Sequence, residues 1–341
     1  VLIGAGEAEQ GGERRSGSTA LRRAGLEPLA LAAKEAVSLI NGTQAMLAIG
    51  CLELLAAERL ADNADLACAL SLDALHGTPR AFDEALHAAR PHPGQVAVAR
   101  NLKRLIEGSE IRASHLGCRR VQDAYSLRCA PQVHGAVRDA LREARRVFTI
   151  ELNSATDNPL VLGEEVISGG NFHGEILAFQ LDFLAIALAA LAGISERRIE
   201  RMVNPALSEG LPPFLAANPG LESGLMMAQV TAAALVGEMR VLATPASPGS
   251  ITTDGNKEDF VSMGMTAALK LRQAVELART VLAIEMIAGV RALEFSRPLK
   301  TSPALESVRG AVAEMTGPVE GDQPLSAPIT RVAEWLKAPR G

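Results

Sequence analysis

Side chains that could bind a carboxylate or move a proton interrupt the apolar stretches of this sequence at several places. Tyr125 and Arg128 lie three residues apart, so one helical turn would put both on the same face. A guanidinium group binds a carboxylate through two parallel hydrogen bonds, and a neighbouring phenol can donate or accept a proton. A Tyr and an Arg packed together at a helix end would give the same spacing. The pair alone therefore does not decide between a substrate-binding site and a structural contact.

The other polar clusters have structural explanations of their own. Turn and capping residues fill 153–159, and the glycines of 169–174 allow backbone to approach a ligand. His173 begins a helix, where a cap is commoner than a catalyst. Asp259 is explained by the helix dipole, which favours acidic residues in a first turn. The five clusters are Asn41-Gly42-Thr43-Gln44, Gln122 to Cys129, Asn153 to Pro159, Gly169 to Gly174 and Thr252 to Phe260.

The composition restricts the class of protein. The chain has 341 residues with 34 basic and 39 acidic side chains, a net charge of -5 and a pI near 5.8. This balance argues against a nucleic-acid-binding protein, which would carry a basic excess. The four cysteines have no CxxC or other metal-ligand spacing. That favours a reduced, cytoplasmic protein without a metal site or a disulfide framework.

Helices must position the polar clusters. Aromatic residues make up only 3% of the chain, and the abundant Ala and Leu build close-packed helices rather than sheets. The apolar periodicity predicts a mostly α fold: a central bundle of very long helices, with a small hairpin and loops near the active site. We expect irregular structure over 1–27 and a hairpin within 160–167. Long helices are expected over 28–60, with a break at 41–44, and over 131–150, 176–194, 223–242 and 258–290. Shorter helices are expected over 73–120, and two more at the C-terminus.

Two of these segments are ambiguous. The break at Asn41 is either a junction between two helices or a functional kink. Segment 176–194 is apolar enough to raise a transmembrane interpretation, but Gln180 and Asp182 lie within it and three arginines follow it. A charged residue inside a bilayer costs roughly 3 kcal/mol, so the central helix of a soluble bundle is the favoured interpretation.

Taken in order, the polar clusters resemble the aromatic amino acid ammonia-lyase family, and most closely its histidine ammonia-lyases. The matching motifs are Gly25 to Pro28, Lys34-Glu35, Leu39 to Gln44, Gln122 to Cys129, Asn153 to Pro159, Ser168 to Gly174 and Glu258-Asp259. The resemblance implies a mostly α-helical fold, which we expect to span residues 1–341 as a single lyase domain. It also implies a homotetramer in which several subunits contribute to each active site.

The activity implied by the resemblance is the non-oxidative removal of ammonia from L-histidine. The products are ammonia and trans-urocanate, in the first step of histidine degradation. The implied electrophile is methylidene-imidazolone (MIO), which members of the family make from an internal Ala-Ser-Gly. Such a group is needed because the amine is a poor leaving group and the β-proton is weakly acidic.

Each site residue takes its implied role from the motif that it matches. Asn41 would lie beside the electrophile and the substrate amine. Arg128 would bind the substrate carboxylate, and Tyr125 and Gln122 would line the site near it. Phe172 would form part of the pocket wall.

The residue implied to select the substrate is Glu258. It would face the imidazole of histidine, and a carboxylate suits a ring that can carry a proton. Lys257 and Phe260 stand where other residues are common in histidine ammonia-lyases, so they weaken the assignment of the substrate but not of the family. The residues implied to be catalytic are Asn41, Tyr125 and Glu258.

The sequence departs from the family pattern at one point that matters for the chemistry. It contains no Ala-Ser-Gly, and it begins with Val1 rather than Met. The family's Ala-Ser-Gly and a tyrosine assigned as catalytic base precede the matched region. We therefore expect a chain truncated at its N-terminus, with an inactive family member as the competing explanation.

Three other functions remain to be separated from histidine deamination. The first is a tyrosine or phenylalanine ammonia-lyase, or an aminomutase, of the same family. The second is a helical binding or assembly protein that kept the fold and lost catalysis. The third is a lyase of the fumarase and aspartase type, which is disfavoured because its Ser-Ser-x-Met-Pro-x-Lys-x-Asn signature is absent.

Overall fold

The computed structural model describes residues 1–117, 121–317 and 321–338. In chain order its strands and α-helices are β1 (Glu7–Gln10), β2 (Glu13–Ser16), α1 (Gly17–Arg23), α2 (Glu35–Ile40), α3 (Gln44–Ala74), α4 (Glu84–Ala88), α5 (Pro93–Leu105), α6 (Glu110–Ser114), α7 (Tyr125–Arg128), α8 (Ala130–Leu152), β3 (Leu160–Leu162), β4 (Glu165–Ile167), α9 (Glu175–Val203), α10 (Met226–Leu242), α11 (Gly264–Glu294), α12 (Pro303–Thr316) and α13 (Ser326–Trp335), and short 3-10 helices lie at Pro79–Phe82, Pro213–Leu215 and Asp254–Asn256. With 62% of residues helical, the prediction of a mostly α fold is confirmed.

One compact unit comprises Val1–Gln44 and Ala155–His173 and carries both antiparallel hairpins. The predicted hairpin within 160–167 is confirmed as β3 and β4. The expectation of irregular structure over 1–27 is wrong, because β1, β2 and α1 lie there. Gly11 and Gly12 join the two strands with φ of 64° and 78°, which suits a two-residue hairpin turn. The strands are charged and polar, so they lack the apolar alternation by which strands are usually recognised.

The other unit comprises Ala45–Ser154 and Gly174–Gly341 and contains the long helices. Helix α9 packs along α11 and also contacts α8 and α10. Leu188 on α9 and Val281 on α11 are fully buried. By length and composition alone, α9 and the segment that contains α3 could each cross a membrane. More than half of the most apolar window of α9 is buried against other helices, so within this fold α9 is a core helix.

Two predicted helix boundaries are settled by the backbone. Helix α2 ends at Ile40 and α3 begins at Gln44, so the break at Asn41 is a junction between helices. The helix expected from residue 258 begins instead at Gly264. Met263 before it has a left-handed backbone, with φ of 54°, which a continuous α-helix does not contain. Glu258 therefore lies in a loop. The single-domain description of residues 1–341 stays a prediction.

Candidate active site

Tyr125 and Arg128 both lie on the single helical turn α7. The guanidinium carbon of Arg128 is 4.5 Å from the centroid of the Tyr125 ring, a cation–π contact. Tyr125 is 71% exposed. Arg128 is half-buried, and its Nε has no hydrogen-bond partner in the part of the chain that the structure describes. The prediction that the two side chains share a face is confirmed, and Arg128 retains an unused donor.

The backbone of α7 is held from both sides within its unit. Asp123, just before the turn, is buried, and its Oδ2 accepts the N–H of Thr78 at 2.6 Å. Leu127, inside the turn, is fully buried. Gln122 is exposed. These contacts fix the segment that carries Tyr125 and Arg128 and leave Gln122 at the surface.

Glu258 lies in the exposed loop between α10 and α11. Its carboxylate accepts the Thr253 hydroxyl at 2.6 Å, and its main-chain carbonyl accepts the Thr253 N–H at 2.8 Å. Between these two residues, Asp254, Gly255 and Asn256 all have positive φ, so the loop turns sharply. The Glu258 carboxylate thus has a fixed local partner and faces solvent rather than the helical core.

Asp182 on α9 anchors the start of this loop. Its Oδ2 accepts the N–H groups of Ala246 and Ser247, each at 2.8 Å. Lys270 on α11 donates to its other oxygen at 3.1 Å, which pairs the buried charge. A buried carboxylate with two main-chain donors and a cation is fully satisfied. The loop that carries Glu258 is therefore fastened to the central bundle.

Asn41 lies in the first unit, directly after α2. Its N–H donates to the Val37 carbonyl at 2.8 Å, while its side-chain amide has no partner among the residues described. The next residue, Gly42, has φ of 145°, and a Cβ there would clash with the carbonyl of Thr156. Glycine is needed at this position because its backbone packs against the backbone of Thr156. The unpaired Asn41 amide offers hydrogen-bond donors and an acceptor to a polar group, so its chemistry fits the implied methylidene-imidazolone.

The segment before β3 is tied to α2 by an ion pair. Lys34 and Ser38 both donate to Asp157 Oδ2, Ser38 at 2.6 Å. The hydrogen bonds from Lys34 and then Ser38 lower the pKa of Asp157 to about 2, so it is ionised at neutral pH. Phe172 follows β4 in the same unit and is half-buried. Within this unit, Asp157 thus ties the segment before β3 to Lys34, just before α2, and to Ser38 within it.

The structure brings only part of the predicted set into direct contact. It places Asn41 and Phe172 in the first unit, and Gln122, Tyr125, Arg128 and Glu258 in the second. Tyr125 and Arg128 touch, whereas the hydrogen bonds of Glu258 stay within its own loop. The sequence analysis did not identify Thr253 and Asp182 as supports for that loop. Asp182 could have been identified, because a lone carboxylate in a strongly apolar segment indicates a buried charge that needs partners.

Comparison with known proteins settles the family. A sequence profile described as aromatic amino acid lyase matches residues 1–314. The chain belongs to the aromatic amino acid lyase family. Within it, the histidine ammonia-lyase of Koribacter versatilis is 61% identical in an alignment 352 residues long, which spans 99% of this chain and 68% of that protein.

Solved structures agree with this membership of the aromatic amino acid lyase family. A histidine ammonia-lyase from Trypanosoma cruzi matches with a TM-score of 0.91 and 42% identity, covering 98% of this chain and 64% of that one. A tyrosine aminomutase from Streptomyces globisporus gives a TM-score of 0.93 and 38% identity, covering 98% and 68%. The chain thus spans about two thirds of the length of the relatives that it matches. The recognised family and its helical fold are confirmed.

Proposed function

We propose that this chain acts as a histidine ammonia-lyase, which converts L-histidine to trans-urocanate and ammonia. The observation that carries the proposal is its 61% identity, over 99% of the chain, to a relative of that name. The motif residues of the candidate site support it. Residues 1–341 contain no Ala-Ser-Gly, so the electrophile would come from outside them.

The proposed task of α7 is to bind the carboxylate of the substrate. Arg128 is suited to it because its half-buried guanidinium group can donate two parallel hydrogen bonds to one carboxylate. The stacked Tyr125 ring would limit the directions in which the guanidinium can point. The exposed Oη of Tyr125 would hold a proton next to the bound substrate, and Gln122 would offer its amide at the same edge.

Glu258 would recognise the imidazole ring of histidine. Its carboxylate accepts a hydrogen bond from Thr253 and keeps lone pairs that can accept an imidazole N–H. Phenylalanine has no ring group that donates a hydrogen bond, and the neutral phenol of tyrosine cannot carry the positive charge that an imidazole can. A carboxylate at this position therefore favours histidine over them.

Asn41 would hold the electrophile through its free side-chain amide, and Phe172 would add an apolar wall. Methylidene-imidazolone, when present, supplies an electron-poor centre that makes the substrate amine a better leaving group. Within this chain, the roles that remain are to orient the substrate carboxylate, to recognise its ring and to hold protons at Tyr125 Oη.

The test is turnover by the full protein that the gene encodes. We expect ammonia and urocanate from L-histidine, and little product from L-tyrosine or L-phenylalanine. Glu258→Gln should lower kcat/KM for histidine by roughly 100-fold, whereas Asp259→Asn, the neighbouring exposed carboxylate, should leave it unchanged. Full histidine activity in Glu258→Gln would count against the assigned role of Glu258.

A second candidate is an ammonia-lyase or aminomutase that acts on tyrosine or phenylalanine. The observation in its favour is the TM-score of 0.93 to a tyrosine aminomutase, which shows that fold alone does not separate the two activities. Turnover of L-tyrosine in preference to L-histidine would favour it. Folded protein without turnover of any of the three substrates would instead favour an inactive assembly protein.

The assembly that we propose is a homotetramer with shared active sites. One face of α9 exposes a row of large apolar side chains, each 41–55% accessible: Ile176, Phe179, Phe183 and Ile186. A row of this kind on a long helix is suited to packing against further copies of the chain. Light scattering behind a sizing column would measure the mass. The cytoplasmic location stays a prediction.

A further inference from the structure

Arg198 on α9 is a fully buried arginine that contacts the turn carrying Tyr125 and Arg128. Its Nη1 donates to the main-chain carbonyl of Ser126 at 3.2 Å, and Ser126 lies between those two residues on α7. Its Nε and Nη2 donate to the two oxygens of Glu285 on α11. One guanidinium group therefore joins α7 to both central helices.

Glu285 fixes the orientation of this guanidinium. It is fully buried and also accepts the hydroxyls of Ser71 at 2.7 Å and Ser195 at 2.6 Å. Burial by itself disfavours the charge on Arg198, but the Glu285 carboxylate outweighs it and raises the pKa of the guanidinium. A planar fork held at both carboxylate oxygens has little rotational freedom. The remaining nitrogen, Nη1, is thereby aimed at Ser126.

A buried histidine supports the same nitrogen from the other side. His134 Nε2 lies 3.4 Å from Arg198 Nη1, and His134 Nδ1 lies 2.8 Å from Asp65 Oδ1. Burial lowers the pKa of His134, so the ring is neutral at pH 7. We assign Nδ1–H as the donor to Asp65, which leaves Nε2 to accept from Arg198.

We propose that Arg198 is a positioning residue for carboxylate binding by Arg128. It would fix the backbone of α7, and through it the direction of the Arg128 side chain, without touching the substrate. This inference rests on the proposed function. A misplacement of about 1 Å at a binding group can cost roughly 100-fold in rate or affinity, so a support of this kind has a measurable effect.

The test compares two ligands of the full protein that the gene encodes, by calorimetric titration. The ligands are trans-urocanate, which has the carboxylate, and imidazole, which does not. The variant is Arg198→Met combined with Glu285→Leu, which removes both buried charges together and leaves neither unpaired. We expect affinity for trans-urocanate to fall roughly 10- to 100-fold and affinity for imidazole to stay within twofold.

The matched control removes an ion pair from the next positions of the same helix. Arg197 donates to the buried Glu196, whose other partner is Gln229, and none of these hydrogen bonds reaches α7. Arg197→Met combined with Glu196→Leu should therefore keep both affinities.

Other results of the titrations would contradict the positioning role of Arg198 or the proposed function. Unchanged urocanate affinity, or an equal loss for both ligands, overturns the positioning role. If the double variant does not fold, Arg198→Lys replaces it, since a lysine can pair with Glu285 but has no fork to reach Ser126 as well. Wild-type protein that binds neither ligand and does not deaminate histidine overturns the proposed function, and this inference with it.

Discussion

The buried pair of Arg198 and Glu285 allows the cost of one lost charge to be worked out from the structure. Glu285 receives two donors at each oxygen: one serine hydroxyl and one guanidinium N–H. In Glu285→Gln an NH2 group replaces one carboxylate oxygen, and whichever way the amide turns, this group faces one serine hydroxyl and one Arg198 N–H. The serine hydroxyl can rotate and accept a hydrogen bond from the NH2 group, but the guanidinium N–H can only donate. One charge-assisted bond is lost, and Arg198 stays buried without a counter-charge, so we expect a loss of about 3–5 kcal/mol.

The assay is urea unfolding of the full protein, followed by circular dichroism, with the free energy of unfolding compared between variants. The control is Glu58→Gln, because Glu58 binds Arg145 through the same two-bond fork, at 2.7 and 2.5 Å, on the surface. The side chains of Glu58 and Arg145 are 31% and 51% accessible, so solvent screening should keep the loss of unfolding free energy in Glu58→Gln below about 1 kcal/mol. Equal losses in the two variants would refute the reasoning, since burial would then contribute nothing.

Three further predictions use other parts of the fold. Burial raises the pKa of the Cys68 thiol to about 12, so iodoacetamide at pH 8 should leave this thiol unmodified until the protein unfolds. The modification is read from peptide mass spectra. Labelling of Cys68 in the native protein as readily as of the half-exposed Cys129 would contradict the prediction. Burial also lowers the pKa of His134, so the unfolded state takes up the proton first, and the free energy of unfolding should decline as pH falls below about 6.5. Urea titrations from pH 7.5 to 5 should show a shallower decline in His134→Gln, and an identical slope would exclude the effect. Gly42→Ala introduces a clash at φ of 145° and should lower the free energy of unfolding by roughly 1–3 kcal/mol, measured by calorimetry. In the control Gly170→Ala a Cβ meets no neighbour, so its loss of unfolding free energy should be less than a third of that.

Much of the helical fold could be predicted because its cause is local. Apolar periodicity and abundant Ala and Leu predict the long helices, and Pro131 in the first turn of α8 marks its start. The three-residue spacing of Tyr125 and Arg128 predicts their contact for the same reason. The family itself was predicted from motifs, and the profile match confirms it.

The failures have physical causes too. β1 and β2 are held by main-chain hydrogen bonds around a Gly11-Gly12 turn, and their charged side chains show no buried face for a pattern to reveal. The acidic pair Glu258-Asp259 resembles the first turn of a helix. Asp254–Asn256 form only a short 3-10 turn, and the left-handed backbone of Met263 keeps α11 from beginning before Gly264, although a methionine does not require such a backbone.

The support of the candidate site could not be predicted because it depends on pairs that are distant in the chain. Arg197 and Arg198 follow the same apolar segment and look alike in sequence, as two charges that end a core helix. One residue of α-helix is a rotation of about 100°, so the two side chains leave α9 in different directions. Arg197 is 59% accessible, while Arg198 is fully buried against Glu285, which lies 87 residues further on. Only the packing of α9 against α11 separates a solvated charge from one that holds α7. The residues proposed to contact the substrate lie in short motifs that the sequence alone can reveal, whereas the residues proposed to position them are brought together only by the fold.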